Sequence, residues 1–225
     1  MPNATPFISV AIDGPSGSGK STAARLAARR LGFAYADTGA MYRAVALHCL
    51  RNGADVNDAA AVAAVLDGIR VELRGERQVL LNGEDVSEKI RTQDVSDATS
   101  RVSAIRAVRE KLVAWQRAMA RSRDIVMDGR DICTTVLPDA QVKIYIDAEQ
   151  EIRAERRKAE LEAKGILCDY AVILREIADR DDRDSTREAS PLRRSPDAVY
   201  IDTSGMTAEE AAAEIVALVG RLRRV

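Results

Sequence analysis

The sequence predicts an α/β fold in which a central parallel sheet carries helices on both faces. Five compact apolar runs, "FISVAID" (7–13), "FAYAD" (33–37), "DIVMDG" (124–129), "VKIYID" (142–147) and "AVYID" (198–202), end in small or acidic residues. Short runs of this kind, rich in β-branched residues, are how strands buried on both faces read. Helical patterns lie between most of them, and strand alternating with helix makes a parallel sheet. At 225 residues, 46% hydrophobic and 31% charged, the chain makes one domain of ordinary size with a core of its own.

Each element follows in order. The first run ends in a glycine-rich stretch, and "STAARLAARRL" begins a helix directly after it. The second run leads into "MYRAVALHCLRNG", a helical pattern closing on a glycine suited to a helix C-terminus. Residues 69–90, "IRVELRGERQVLLNGEDVSEKI", break the rhythm. They read as short alternating strands joined at "RGER" and "NGED", and predict a small antiparallel insert over 60–98. "VSAIRAVREKLVAWQRAMARS" carries one long apolar stripe and predicts a single helix before the third run. "EIRAERRKAELEAKG" is a basic amphipathic helix, and "MTAEEAAAEIVALVGRLRR" is the last. No repeat and no Pro- or Gly-rich linker marks a second domain, so residues 1–225 are expected to form one.

Composition narrows the function. Net charge is −1, from 34 basic and 35 acidic residues, so no global basic field is available for a nucleic-acid duplex. Any anion must be held by a local site. Cys49, Cys133 and Cys168 are scattered and odd in number, which fits neither a disulfide framework nor a zinc site and points to a reduced, cytoplasmic setting. "MPNATPFISVAIDG" lacks the basic-then-apolar order of a signal peptide. No run approaches the ~18 apolar residues of a membrane span. His48 and Trp115 sit at helical spacing among apolar residues and read as packing groups. No oligomerisation seam stands out, and a monomer is expected.

The chemistry starts at "AIDGPSGSGKST". Gly14, Pro15, Ser16, Gly17, Ser18, Gly19, Lys20, Ser21 and Thr22 carry the pattern G-x-x-x-x-G-K-S between a predicted strand and a predicted helix. That is the context which gives this motif its meaning, a P-loop. Glycines let backbone N–H groups turn inward around phosphate oxygens, and the helix start adds partial positive charge. Lys20 is expected to reach the β- and γ-phosphates of a nucleoside triphosphate, and the Ser21 hydroxyl to bind Mg²⁺.

A P-loop leaves open whether the γ-phosphate is hydrolysed or transferred. A switch would carry a guanine-reading N-K-x-D, and none is present. Transfer needs a second anion site at the C-terminal ends of other strands, where α/β sheets bind ligands. "DTGAMYR" offers Thr38, Tyr42 and Arg43, and "MDGRDICT" offers Asp128, Arg130 and Asp131. The stretch "IADRDDRDSTREASPL" (177–192) is the third candidate. A run of mixed charge is ordinarily a solvated helix face. Beside two phosphate clusters its arginines gain a purpose, because guanidinium forks neutralise and orient phosphate bidentately. The interleaved aspartates are expected to keep those arginines paired. No general base stands near these motifs. An alcohol acceptor wants one, whereas a phosphate acceptor needs only positioning, so a monophosphate is the expected acceptor.

"IDGPSGSGK", "DTGAMYRAVAL", "GEDVSEKIRTQDVS", "MDGRD" and "RDDRDSTR" together closely resemble the bacterial cytidylate kinases, which phosphorylate CMP and dCMP from ATP, and the likeness runs in order from about residue 7 to about 203. The resemblance implies a P-loop kinase fold whose hairpin insert serves the monophosphate and whose helical lid, about 153–187, covers ATP. It implies that Thr38, Tyr42, Arg43, Arg130 and Arg187 surround the acceptor phosphate and sugar. It further implies that Ser100, Arg109 and Asp131 read the cytosine, and that Arg180 and Asp184 touch the ribose hydroxyls. Lys20, Arg130, Arg180 and Arg187 are then the catalytic set. An aspartate can accept from the cytosine amine, where uracil presents a carbonyl. Arg153, Arg156 and Arg157 of the lid helix either contact ATP phosphates or form a solvated face. Two alternatives stay open: a kinase for UMP, AMP or a hydroxylated metabolite, and a nucleotide switch with no acceptor.

Overall fold

The computed structural model describes residues 7–222 apart from 164 and 188. Arg223 and Arg224 at the end of the last helical pattern, and Glu188 of the charged run, lie outside the described residues. The chain runs β1 (Ser9–Asp13), α1 (Lys20–Leu31), β2 (Ala34–Asp37), α2 (Thr38–Arg51), α3 (Ala59–Ala64), β3 (Val71–Arg74), β4 (Gln78–Leu81), β5 (Glu84–Asp85), α4 (Gln93–Val102) and α5 (Arg106–Ala120). It continues through β6 (Ile125–Gly129), β7 (Val142–Asp147), α6 (Gln150–Glu162), α7 (Tyr170–Thr186), β8 (Val199–Asp202) and α8 (Ala208–Leu222).

The five apolar runs are the five strands of one parallel sheet, ordered β2-β6-β1-β7-β8. Every residue of β1 and β6 is buried, as their continuous apolar character requires. Alternate residues of β1 face opposite layers. Val10 and Ile12 join Ile144 and Ile146 under α1 and α8. Ala11 joins Ile125 and Met127 on the other face, against Ile132, Cys133 and Val136. Asp13 has the same parity as Ala11. With β1 central, the glycine-rich loop emerges in the crevice at the sheet's carboxyl edge, between the loops that follow β6 and β7.

The predicted insert contains a separate antiparallel sheet, β3-β4-β5. Leu81 pairs with Glu84 across Asn82-Gly83, both at positive φ (51° and 87°), the two-residue turn that matches strand twist. Val79, Leu81, Val86 and Ile90 pack into one cluster with α2, α4 and α5. The glycine expected after α2 is present in a left-handed conformation at Gly53. Gly53 N–H donates to Leu50 and Ala54 N–H to Cys49, a paired termination of the last turn.

One helix expectation is corrected. The apolar stripe from Val102 is not a single helix: α4 ends at Val102 and α5 begins at Arg106. Ser103, Ala104 and Ile105 form a turn, and Ser103 Oγ donates to the Ser100 carbonyl at 3.0 Å, a side-chain bond that competes with helix continuation. The break lets α4 pack on α2 while Arg109, one turn into α5, points into the site. His48 Nε2 donates to the Val65 carbonyl (2.8 Å), and Trp115 packs on the α2/α4/α5 cluster, both packing roles as expected.

Candidate active site

The loop after β1 is built for close approach. Gly14 has φ 151°, and a methyl there would lie 1.9 Å from the Ile146 carbonyl oxygen of β7. Only glycine lets the chain leave the sheet at that point. At Gly17 (φ 79°) a methyl would lie 3.0 Å from Arg153 Cβ on α6. Helix α1 begins at Lys20 with no side-chain cap and no acidic residue in its first turn, leaving its first N–H groups facing the loop. Lys20 is buried and its Nζ donates to the Pro15 carbonyl at 2.8 Å. Burial first, then Arg130, depress its ammonium to about 7, while Asp128 opposes the shift.

Asp128, at the end of β6, is held from two sides: Ser21 Oγ donates to Oδ2 (2.6 Å) and Tyr35 to Oδ1 (2.8 Å). Burial and neighbouring Asp37 raise the Asp128 carboxyl, and the same burial with Asp128 and Asp37 pushes the Tyr35 phenol up. Thr38 Oγ1 donates to the Asp128 carbonyl (2.8 Å), tying α2 to the same strand end. Asp37 caps α2 through Ala40 N–H and holds Arg43 at 3.0 Å.

Beyond Asp128 the chain turns through Arg130 and Asp131. Arg130 Nε donates to Asp184 (2.9 Å) on α7. Asp131 pairs with Arg109, both nearly fully buried, and Arg187 approaches the other Asp131 oxygen at 3.9 Å. The Arg109 guanidinium lies 6.0 Å from the Tyr42 ring centroid. Arg187 Nε donates to the Ser190 carbonyl, but one terminal nitrogen of Arg187 and Nε of Arg43 have no hydrogen-bond partner. Burial and the cation Arg130 lower Arg180 to about 10, and burial likewise lowers Arg187. These are buried donors lacking sufficient negative charge, the electrostatic condition of an anion site.

Tyr35, Asp37 and every candidate residue except Gly14, Pro15 and Arg153 line one cleft of about 1290 Å³. Ser100 reaches its wall from α4. Gln78, Ser87 and Arg91 bring the antiparallel segment to the same cleft.

One expectation about the charged run is corrected. Its aspartates do not chiefly pair with their neighbouring arginines. Asp184 holds Arg130, and Asp181 holds Arg153 of α6 at 2.6 Å. Helical geometry explains this, since the run is α7 and its residues diverge around the helix axis toward different partners. The lid-helix arginines also have defined partners. Arg153, buried, donates to the Ser16 and Ala148 carbonyls, and Arg156 donates to the Thr203 carbonyl at 2.6 Å. Arg157 pairs with Glu160 on its own helix.

Several site residues escape a sequence reading. Tyr35 and Asp37 look like ordinary strand-end residues. Thr203, whose hydroxyl donates to the Ser18 carbonyl (2.8 Å), stands 185 positions away from it. Asp13 accepts from Ile132 and Cys133 N–H at 2.7 and 2.8 Å. Its place as the last strand residue before the P-loop is the one available signal.

The cytidylate kinase family profile matches residues 10–221. A cytidylate kinase of Pelotomaculum thermopropionicum is 50% identical over 224 residues, covering 97% of this chain and 98% of that one. Another, of Geobacillus thermodenitrificans, is 49% identical over 215 residues, covering 94% and 96%. A solved structure of an uncharacterized protein from Eubacterium ventriosum ATCC 27560 shares the fold (TM-score 0.52, 14% identity, 95% and 98% coverage). On these matches, and on a P-loop facing a second cluster of half-buried arginines, the chain belongs to the cytidylate kinase family.

Proposed function

We propose that this protein transfers the γ-phosphoryl group of ATP to CMP or dCMP, giving ADP and CDP or dCDP. The observation that carries the reading is the single cleft in which the P-loop faces Arg43, Arg130, Arg180 and Arg187, two of them with unpartnered buried donors. A hydrolytic switch has no use for a second cation cluster, whereas a kinase must bring two anions together.

The donor end is the loop from Gly14 to Thr22, with Lys20 swinging from the Pro15 carbonyl onto the β- and γ-oxygens. Ser21 fits Mg²⁺, since its hydroxyl already meets Asp128 at the phosphate end of the loop. Among the described residues no cluster of three His, Cys, Asp or Glu could hold a metal by itself. That suits an ion which keeps most of its waters and binds through phosphate. When bound, Mg²⁺ would neutralise charge shared by the β- and γ-oxygens. At the acceptor end, Thr38, Tyr42, Arg43, Arg130 and Arg187 surround the monophosphate, Ser100, Arg109 and Asp131 face the base, and Arg180 with Asp184 meets the ribose. The antiparallel insert (60–98) closes over the acceptor and the lid (about 153–187) over ATP, excluding water that would otherwise waste the phosphoryl group. Transfer is in line and relies on positioning and charge, because the attacking phosphate oxygen is already anionic. Among the described residues no helix is long and apolar enough to cross a membrane.

The test is ADP release from Mg·ATP with CMP, dCMP, UMP and AMP offered separately, repeated with Asp131→Asn. Strong stimulation by CMP and dCMP, weak by UMP and none by AMP is expected, with the CMP-to-UMP gap narrowed in the variant. Stimulation by none of the four would overturn the kinase reading. A gap left as wide in Asp131→Asn would remove Asp131 from base recognition.

A further inference from the structure

We infer that Asp13 is a positioning residue for base selection: by capping the turn after Asp131 from a neighbouring strand, it frees the Asp131 carboxylate to face the acceptor. This rests on the reading of Asp131 given above.

Residues Ile132–Val136 form one wide helical turn in which Val136 and Leu137 N–H bond five residues back, and Asp131 stands at its N-cap position. An aspartate there ordinarily folds its carboxylate onto the second or third N–H of the turn, satisfying an orphaned donor. Asp37 does this at the start of α2. Asp131 makes no such bond. Asp13 explains the difference. Projecting from the end of β1, it accepts from Ile132 N–H through one oxygen and from Cys133 N–H through the other. The second N–H of the turn, Cys133, is therefore already taken together with the first, and Asp131 is left to Arg109 and Arg187.

Electrostatics act in the same direction. Burial, with Asp131 adding to it, raises Asp13 to about 6, so it is ionised at neutral pH and both oxygens accept. Two neighbouring carboxylates repel, which turns Asp131 away from the capped N–H groups. Asp13 is fully buried and its bonds span 119 and 120 residues, so the device belongs to the tertiary fold. It also joins the strand that starts the ATP loop to the loop bearing Arg130 and Asp131.

The experiment compares kcat/KM for CMP and UMP in the wild-type enzyme, Asp13→Ala, Asp13→Asn and Asp131→Asn, with ATP KM and thermal melting recorded for each. Asp13→Asn keeps the side-chain shape should the alanine variant fail to fold. The Asp13 variants are expected to raise the CMP KM about tenfold and narrow the CMP-to-UMP gap, moving the ATP KM far less. Combining Asp13→Asn with Asp131→Asn should narrow the gap no further than Asp131→Asn alone. If Asp131→Asn narrows the gap while a folded Asp13 variant leaves it wide, the inference is overturned and the base reading stands. A crystal structure of an Asp13 variant decides the matter separately from base recognition. Asp131 turned onto the Cys133 or Thr134 N–H is expected, and Asp131 still on Arg109 would overturn the inference.

Discussion

Replacing Gly14 with alanine should damage both the fold and the ATP loop, and the structure sets the size. The added methyl would sit 1.9 Å from the Ile146 carbonyl oxygen and 3.0 Å from its carbon. An ordinary contact begins near 3.4 Å, so the oxygen must retreat by about 1.5 Å (3.4 − 1.9). Both opposing groups are backbone, and no rotamer change relieves them. The strain falls on the β1–β7 pairing, from Val10–Val142 to Asp13–Tyr145, and on the loop that follows. Overpacking of this kind costs about 1–3 kcal/mol and the unsuited φ of 151° adds ~1 kcal/mol or more. A total near ~3 kcal/mol lowers the melting temperature of a chain this long by roughly 6–12 °C. Gly53→Ala is the control: its φ is 66° but its methyl would meet nothing within 4 Å, so it carries conformational strain alone. The assay is thermal melting and urea unfolding of both variants beside calorimetric titration with a non-hydrolysable ATP analogue. Gly14→Ala should lose much more stability than Gly53→Ala and should also lose nucleotide affinity. Equal losses, or unchanged affinity, would refute the steric argument.

Three other outcomes are expected. Arg187→Ala should cut kcat by on the order of 10³ with ATP KM and melting little changed; an unaltered kcat would reduce Arg187 to a support for the Ser190 carbonyl. Burial places the folded-state value of Asp13, about 6, above the unfolded 3.8, so its contribution to stability is full below pH 3.8 and is lost as pH rises through 6. The stability of wild type relative to Asp13→Asn should therefore fall by up to ~3 kcal/mol between pH 3 and 7 in urea titrations, and a flat difference would reject the raised value. Gln116 is fully buried, its Oε1 has no hydrogen-bond partner, and its amide nitrogen reaches only Met41 sulfur at 3.9 Å. Gln116→Leu should stabilise by ~1 kcal/mol, raising the melting temperature by about 3 °C, and a lower melting point would contradict that accounting.

The strands were legible because a strand buried on both faces has one sequence signature and each of the five carries it. The P-loop was legible for a related reason: its signature is local, written in nine consecutive residues. What failed to show was written in small or polar residues, or across the chain. Helix α4 presents Val95, Ala98, Thr99 and Val102 at helical spacing, but the weak apolar character of alanine and threonine hides the stripe. The break before α5 depends on three residues whose pattern continues the helix, so periodicity runs straight through it. Asp13, Arg153 and Thr203 act through carbonyls and N–H groups of distant segments, which no local pattern records. Arg180 and Arg187 of the charged run do line the cleft, while the partners of its aspartates required the fold.

The bond from Thr203 to the Ser18 carbonyl, together with the packing of α1 on α8, has a consequence for biosynthesis. The nucleotide loop is made early, yet its last support is made 185 residues later. At translation speeds of ~5–20 residues per second that interval is roughly 10–40 s. During it the glycine-rich loop and the apolar face of α1 have no final partner. A nascent chain should therefore bind nucleotide more weakly until the segment from β8 onward docks.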